Sequence, residues 1–425
     1  MQDISATTQG VHICVVGMGY VGLPLARLLV ESGYQVTGID IDEKKIRQLL
    51  SGVSYLSDLS DDDIHALFQS GRFSCDTSFQ PVAHSSAIII CVPTPLTEEG
   101  QPDLSYVTAA SASIAMFLQA SQLVVLESST FPGTTEDYVI PILEGSGLTA
   151  GSDFFVAYSP ERINPGDSFD IRKIPKVVGG MDSESTRLAV EIYEKVFERV
   201  VVVSSVRVAE LTKLLENTQR FINISLMNEL AMICDKWKIN LWEVIDAAST
   251  KPYGFTPYFP GPGVGGHCIP VDPLYLQWVV EKYGYSLEFI KLAHRINEEM
   301  PEYVMERIMR LSPSSRPRLL LVGLTYKPDV NDLRESPALR ILRELRANGL
   351  DVMYHDPFVK EISIGMDSLK SVDITPEVLR EMDVVAILTN HSNVDYEMIM
   401  QHARAVLDTR NVFGTAHHRP NIESL

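Results

Sequence analysis

Val11-His-Ile-Cys-Val-Val-Gly17-Met-Gly19-Tyr-Val-Gly22-Leu23, close to the start of the chain, decides how the rest is read. Residues 11–16 read as a buried strand and Leu23 to Ser32 as a helix. The next strand, Tyr34 to Ile39, ends at Asp40. A strand running into G-x-G-x-x-G, a helix, and an acid about 20 residues on form the fingerprint of a dinucleotide-binding βαβ unit. Gly17 permits the tight turn, Gly19 lets a pyrophosphate approach the backbone, and Gly22 allows close helix–strand packing. The helix N-terminus then offers N–H groups and the positive end of its dipole to the phosphates. Asp40 is expected to bond the adenosine ribose and to repel a 2′-phosphate, which favours NAD over NADP.

Further strands follow at Ala87 to Val92, Leu123 to Glu127 and Phe154 to Tyr158. They end in Pro93-Thr94-Pro95, Ser128-Ser129-Thr130 and Ser159-Pro160-Glu161, at the edge of a parallel sheet where ligands lie. Thr94 and Thr130 are candidate nicotinamide contacts, with helix capping as the compatible alternative. Glu161 is placed to position a water; the alternative is a solvated loop carboxylate.

After a strand at Val200 to Ser204, residues 206–247 carry Ala209, Leu214, Ile222, Leu226, Leu230 and Ile233 at helical spacing, enough for one or two long helices. Lys213 and Asn217 share a face one turn apart. A long apolar helical segment between two α/β halves is a plausible dimer interface. From Arg316 the pattern begins again, with strands at Leu319 to Val322, Asp351 to His355, Asp383 to Leu388 and Ala405 to Leu407 and a helix at Pro337 to Asn348. This second βαβ unit lacks G-x-G-x-x-G in its first turn, so it keeps the fold without the dinucleotide fingerprint. Lys327 and Arg334 lie near its edge, and an arginine fork suits a phosphate.

Between the halves runs Phe259-Pro-Gly-Pro-Gly-Val-Gly-Gly-His-Cys-Ile-Pro-Val-Asp272-Pro273. Glycine permits close approach and positive φ while proline removes freedom, so this is a rigid loop presenting one thiol, Cys268. A thiolate is a good nucleophile for aldehydes. The alternative is a tight turn whose cysteine merely packs.

The chain has 425 residues, 45% of them hydrophobic and 21% charged, with a net charge of −19. That length implies two or three domains. The negative charge argues against nucleic acid or an anionic membrane as partner, and no window approaches the roughly 18 apolar residues of a membrane span. The N-terminus lacks the basic and apolar regions of a signal peptide. Cys14, Cys75, Cys91, Cys234 and Cys268 are odd in number and scattered, which fits free thiols in a reducing cytoplasm.

Together these stretches strongly resemble the UDP-sugar 6-dehydrogenases, the relatives of UDP-glucose dehydrogenase. The motifs, in order, are GMGYVGLP, VPTP, ESSTFPGTT, YSPERINPGD, AELTKLLENTQRFINISLMNELA, PGPGVGGHCIPVD and GLTYKPDVNDLRES. The resemblance runs from Val11 to about Asn411 and is closest to the bacterial UDP-N-acetylhexosamine dehydrogenases. It implies two Rossmann-like doubly wound domains joined by a central helical dimerisation domain. The expected boundaries are 1–205 for the NAD-binding domain, 206–310 for the helical domain with the cysteine loop, and 311–425 for the UDP-sugar-binding domain.

The family oxidises the sugar C6 alcohol to a carboxylate with two hydride transfers to NAD. By resemblance, Lys213 and Asp272 lie around the C6 oxygen and Cys268 carries the thiohemiacetal and then the thioester. Glu161, with Thr130 beside it, activates the hydrolytic water, and Asn217 with Lys213 stabilises the oxyanion. The resemblance also implies cofactor contacts at Tyr20, Val21, Lys45 and Arg334. It implies substrate contacts at Glu161, Arg162, Lys213, Asn217, Arg220, Tyr258, Phe259, Gly265 and Lys327, with the loop Tyr253 to Pro260 closing over the uridine diphosphate. Two departures from the UDP-glucose enzymes stand out: Pro165 replaces a second acid, and His267 replaces the serine before the cysteine. His267, Cys268 and Asp272 do not read as metal ligands, since no further ligands cluster near them and the family needs no metal.

UDP-N-acetylglucosamine is the favoured substrate, its uronic acid serving surface polysaccharide, with UDP-N-acetylmannosamine and UDP-glucose as alternatives. A two-electron hydroxyacid or 6-phosphogluconate-type dehydrogenase would leave the thiol loop and third domain unexplained. A non-catalytic NAD-binding protein would tolerate loss of Lys213, Cys268 or Glu161, and all three are present.

Overall fold

A computed structural model describes residues 10–56, 59–97, 100–163, 169–266, 268–365, 367–414 and 420–425. Pro165 and His267 lie outside the described residues. The chain forms two compact units. The first comprises the residues up to Glu216 with Leu274–Tyr285, and the second Asn217–Pro273 with Ser286–Leu425.

The first unit is built on strands β1 (His12–Val16), β2 (Gln35–Ile39), β3 (Phe73–Asp76), β4 (Ala87–Ile90), β5 (Leu123–Leu126), β6 (Phe155–Tyr158), β7 (Lys176–Gly180) and β8 (Val200–Val202). They form one sheet in the order β3-β2-β1-β4-β5-β6-β7-β8. All neighbours are parallel except β6 and β7, which pair antiparallel. Helices α1 (Gly22–Glu31), α2 (Glu43–Leu50), α3 (Asp61–Gln69), α4 (Ser105–Ala115), α5 (Ile140–Leu143) and α6 (Ser183–Tyr193) connect them.

The central strands β4, β5 and β6 are apolar and fully buried because both faces are covered, while β3 and β8 at the two edges are partly exposed. Ile13 and Val15 join one core with Ile89, Val125 and α1, while Cys14 and Val16 join another with Ile88, Ile90, Val124 and α4. Successive residues therefore feed opposite layers, as strand geometry requires. Each fully buried Ile or Val contributes about 1.5–3 kcal/mol to this arrangement. Strand order reverses between β1 and β4, and such a switch point leaves a crevice at the carboxyl ends of the strands.

The expected long helix is α7 (Val206–Trp237). Lys238, at φ 58°, ends it, and the Asn240 side chain caps α8 (Leu241–Ser249) by accepting from Trp242 N at 3.0 Å. Of the six residues expected to line this helix, Ala209 and Leu214 are fully buried, but Leu226 is 45% exposed. It joins exposed Val208, Leu211 and Leu215 in an i, i+3, i+4 pattern, so the helix carries an outward apolar stripe besides its buried one. Helices α9 (Asp272–Glu281) and α10 (Glu288–Leu311) follow. No helix among the described residues is long and apolar enough to cross a membrane.

The second unit contains β9 (Arg318–Val322), α11 (Pro337–Ala347), β10 (Asp351–His355), the hairpin β11 (Glu361–Ile364) and β12 (Asp367–Lys370), α12 (Pro376–Glu381), β13 (Val384–Ile387), α13 (Tyr396–His402), β14 (Val406–Asp408) and β15 (Ile422–Ser424). Its main sheet is parallel throughout, in the order β10-β9-β13-β14-β15. Leu319 and Leu321 pack toward α11 while Leu320 and Val322 pack toward α12 and α13, the same two-layer alternation.

Candidate active site

The turn after β1 is held from several sides. Gly17 adopts φ 96° and its N–H bonds Ile39 O at 2.7 Å, joining the ends of β1 and β2. Met18 N donates to Asp40 Oδ2 at 2.9 Å, Asp42 N to Asp40 Oδ1 at 2.9 Å, and Lys45 Nζ lies 3.0 Å from Asp40 Oδ2. A Cβ on Gly17 would stand 2.7 Å from Cys91 O, and one on Gly22 only 1.8 Å from Gly17 O. A Cβ on Gly19 would meet nothing within 4 Å, so that position faces open space at the helix start. Val21, the N-cap of α1, has no side-chain hydrogen bond to the helix. Tyr20 is half-buried.

Beside this turn lies a cleft of about 300 Å³, walled by Ile39, Asp40, Ile41, Phe79, Val92 and Ala110. A largely apolar slot with the carboxylates of Asp40 and Asp42 at its lining suits an adenosine. The open face at Gly19 beside an uncapped helix start suits a pyrophosphate. The residues present fit NAD.

Three of the side chains expected to be catalytic, Thr130, Glu161 and Lys213, belong to this first unit. Lys213, 7% exposed, donates to Ser129 Oγ in the turn after β5. Thr130 is buried, and its hydroxyl bonds that of Thr134. It therefore does not cap the helical turn that follows, where Thr134 is the N-cap and makes no side-chain bond to it. Glu210, on α7, clamps the same turn by accepting from Gly133 N at 2.7 Å, Thr135 N at 2.9 Å and Thr135 Oγ1 at 2.7 Å. Burial pushes this carboxyl up to about 7 against those three bonds. Thr94 is buried and caps nothing: α4 begins after Leu104, and the Thr94 carbonyl accepts from the hydroxyl of Tyr275 on α9.

Glu161 is 6% exposed, not the solvated carboxylate of the alternative reading. Oε1 accepts from Arg162 N at 2.6 Å and Ile163 N at 2.8 Å, and Oε2 lies 3.0 Å from Lys176 Nζ. Lys176 also reaches Glu127 Oε2 at 2.8 Å, and the Tyr193 hydroxyl donates to Glu127 Oε1. Burial alone would raise Glu161, but the Lys176 charge and the backbone N–H groups outweigh it and hold this carboxyl below its ordinary value. For Glu127 burial wins, and its pKa is raised. Arg162 is committed elsewhere: its Nε and Nη2 form a fork on Glu216, at 3.1 and 2.6 Å, and Nη1 donates to Pro175 O at 2.9 Å. It acts as a clasp between the β6 edge and α7, which departs from the expected substrate contact.

In the second unit, Asn217 Nδ2 donates to Asp272 Oδ2 at 2.6 Å. Asp272 is fully buried, and its N–H bonds Cys268 O at 2.9 Å. Cys268 thus starts the turn that leads into α9, with its side chain half-buried. The loop before it is pinned by Gly266 N to Arg334 O at 3.0 Å. Gly266 has φ 86°, and a Cβ there would strike the Tyr326 ring at 2.7 Å; a Cβ on Gly265 would strike Glu335 O at 2.6 Å. Positive φ and close approach are thus both real in this loop, and Gly265 is explained by packing against its own unit.

Tyr258 OH bonds Gln219 Oε1 at 2.8 Å, and Phe259 stacks on Trp242 with ring centroids 5.3 Å apart. Arg220 is exposed and Lys327 half-buried. The Arg334 fork faces its own Asp332, with Nε at 3.0 Å and Nη2 at 2.6 Å from Oδ2, so the expected phosphate fork is already filled by a carboxylate. Sequence reading passed over Arg410, which follows β14, donates from Nε to Leu388 O at 2.8 Å and stands against Gly261. Its place after a strand's carboxyl end was the available signal.

The second unit repeats the first turn with a different outcome. Gly323 has φ 84°, its N–H bonds His355 O at 2.8 Å, Leu324 N donates to Asp356 Oδ2 at 2.7 Å, and Phe358 N to Asp356 Oδ1 at 2.8 Å. Where Asp40 has Lys45 and a cleft, Asp356 has buried His391, whose Nε2 lies 3.2 Å from Oδ2. Nδ1 of His391 accepts from Asp329 N at 3.0 Å, so Nε2 carries the proton and donates to Asp356. Burial would raise Asp356, but His391 and the N–H of Leu324 hold it below the usual carboxylate range. Among the described residues no group of three or more His, Cys, Asp or Glu could hold a metal ion.

Residues 11–197 match the NAD binding domain of the UDP-glucose/GDP-mannose dehydrogenase family, 207–299 its central domain and 320–415 its UDP binding domain. The chain belongs to this family. It is an NAD-dependent UDP-sugar 6-dehydrogenase. A hydroxyacid dehydrogenase would not account for the UDP binding domain.

The chain is 39% identical over 374 residues to a UDP-N-acetyl-D-glucosamine 6-dehydrogenase from Pseudomonas aeruginosa, covering 86% of each chain. It is 34% identical over 425 residues to a UDP-N-acetyl-D-mannosamine dehydrogenase from Methanocaldococcus jannaschii, covering 97% of this chain and 95% of the relative. The solved structure of a UDP-D-ManNAc dehydrogenase from Pyrococcus horikoshii superposes with a TM-score of 0.87 at 32% identity, over 97% of this chain and 98% of that one.

Proposed function

We propose that the enzyme oxidises C6 of a UDP-N-acetylhexosamine, with UDP-N-acetylglucosamine favoured, to the uronic acid through a Cys268 thioester. One observation carries the covalent route. Asn217, on α7, donates to Asp272 of the cysteine loop, whose own N–H bonds the Cys268 carbonyl at the start of α9. The preference for the glucosamine epimer is supported by the 39% identity to the Pseudomonas aeruginosa relative of that name.

NAD bound in the first unit supplies the hydride acceptor, so that one alcohol, two NAD and one water become a carboxylate, two NADH and three protons. The chain's own groups do the rest. Lys213 and Asp272 hold the C6 oxygen and take its proton. The Cys268 sulfur bonds to the aldehyde carbon, which keeps that intermediate from escaping. Asn217 and Lys213 hold the oxygen as it gains charge. Glu161 takes a proton from the hydrolytic water as its oxygen bonds to the thioester carbon, and the C–S bond breaks to return the thiolate.

We assign cofactor binding to 1–205, the helical and cysteine-loop functions to 206–310 and UDP binding to 311–425. The exposed Val208, Leu211, Leu215 and Leu226 stripe on α7 supports a homodimer formed through that helix. The five free cysteines support work in the cytoplasm, where the product would feed surface polysaccharide.

The test is NADH released per sugar with UDP-N-acetylglucosamine, UDP-N-acetylmannosamine and UDP-glucose in parallel. Two NADH per sugar, with turnover abolished in Cys268→Ala, is expected with the first. One NADH per sugar and an indifferent Cys268→Ala would overturn the thioester route, and a faster reaction with either other sugar would overturn the substrate. Sedimentation of Leu215→Glu as a monomer, against a dimer for the parent, checks the interface.

A further inference from the structure

Three ionisable side chains are shut from water at the carboxyl edge of the first sheet: Glu127 after β5, Glu161 after β6 and Lys176 at the start of β7. Tyr193, on α6, faces Glu127, and the Lys176 ammonium lies 5.3 and 5.2 Å from the ring centroids of Tyr193 and Phe197. Cys91 is a further titratable group near the cluster, its thiol pushed up by burial and then by Glu127. A buried ammonium shared by two carboxylates is a poor stabilising device, because three desolvated charges cost about as much as their attraction returns, and apolar replacements are often neutral. Its place beside Glu161 gives it a different use.

We propose that Lys176 is a positioning residue for thioester hydrolysis, fixing Glu161 as an anion in one orientation and leaving it ready to accept from the attacking water. The inference rests on the water-activating assignment of Glu161. Lys176 occupies one direction at Oε2, and the N–H groups of Arg162 and Ile163 hold Oε1, so the carboxylate cannot rotate. A carboxylate oxygen accepts more than one hydrogen bond, so Oε2 retains capacity for a water. Glu127 and Tyr193 anchor the lysine from the far side and keep the ammonium from swinging away. With Lys176 gone, two carboxyls would remain without their cation. The pair would take up a proton, and Glu161 would need a higher pH to serve as base.

The experiment uses the full-length enzyme and follows the Cys268 adduct by rapid quench and intact-protein mass spectrometry across a pH series. It compares the parent with Lys176→Met, Lys176→Arg and Glu161→Gln, with NAD binding measured in parallel. In Lys176→Met the thioester should accumulate, its hydrolysis should slow by about tenfold or more, and the acid limb of that step should move up by about one pH unit or more. NAD affinity should stay within about twofold, since the adenosine cleft lies elsewhere in the unit. Lys176→Arg, which keeps the charge, should restore the acid limb while remaining slower than the parent. Should Lys176→Met fail to fold, Lys176→Arg decides alone: hydrolysis at the parent rate overturns the proposal. Slow hydrolysis in Glu161→Gln with parent-like rate and pH profile in Lys176→Met sinks the role of Lys176 and leaves Glu161 standing. Parent-rate hydrolysis in Glu161→Gln sinks the underlying assignment.

Discussion

Gly17 and Gly19 stand two residues apart in one turn, yet the geometry gives them opposite vulnerabilities. A Cβ at Gly17 would sit at φ 96° and within 2.7 Å of the Cys91 carbonyl oxygen and 2.9 Å of its carbon. The left-handed backbone costs a non-glycine residue about 1–2 kcal/mol, and overpacking against an immobile strand end about 1–3 kcal/mol more. Gly17→Ala should therefore lose about 2–5 kcal/mol, which for a unit of this size lowers its melting temperature by roughly 4–20 °C. Gly19→Ala adds a methyl into open space, so its stability should stay within about 0.5 kcal/mol of the parent. That methyl stands where the cofactor phosphates approach the helix start, and loss of one charge-assisted bond costs about 1.5–3 kcal/mol. NAD affinity should fall by about tenfold to a hundredfold. Calorimetric melting and NAD titration of both variants read the two effects separately. A Gly17→Ala enzyme as stable as the parent, or a Gly19→Ala enzyme binding NAD with parent affinity, would refute the reasoning.

Two further outcomes follow from the buried polar groups. Glu210, raised from 4.5 to about 7, gives a stability contribution complete below its unfolded value and lost as pH rises through about 7. Between pH 5 and 8 the parent should lose up to about 3 kcal/mol relative to Glu210→Gln, measured by denaturant unfolding; a difference that does not vary with pH contradicts this. His391→Ala leaves the Asp329 N–H without its acceptor and removes a donor from Asp356, and should destabilise the second unit by about 2–4 kcal/mol with NAD affinity unchanged. Parent-like unfolding of that variant would show that the imidazole is not what closes the turn.

The first turn was legible because every signal in it is local: a strand, three glycines at fixed spacing, a helix and an acid that closes the next strand. The cysteine loop was legible for the same reason. Lys176 was not, since its partners lie 49 and 15 residues away and Lys-Val-Val-Gly-Gly reads as an ordinary strand running into a turn. The antiparallel entry of β7 was missed with it, because its pairing with β6 involves only Ala157 and Tyr158 against the two glycines. Arg162 and Arg334 illustrate a different limit. Residue type predicts a fork that grips an anion, but only the fold shows that Glu216 and Asp332 are the anions gripped. Leu226 fits the helical period as well as Leu214 does, and only packing distinguishes the outward leucine from the inward one.

The paired turns at Gly17 and Gly323 bear on how the enzyme meets the nucleotides around it. His391 is tethered to the same chain as Asp356, so its effective concentration there is fixed and a soluble molecule competes with it only by exceeding that concentration. Asp40 instead lines a cleft whose occupancy follows the concentration of whatever nucleotide is present. The second turn is thereby removed from the adenine nucleotide economy of the cell. Changes in that pool can reach the enzyme through the first turn, while the stability of the second turn stays constant.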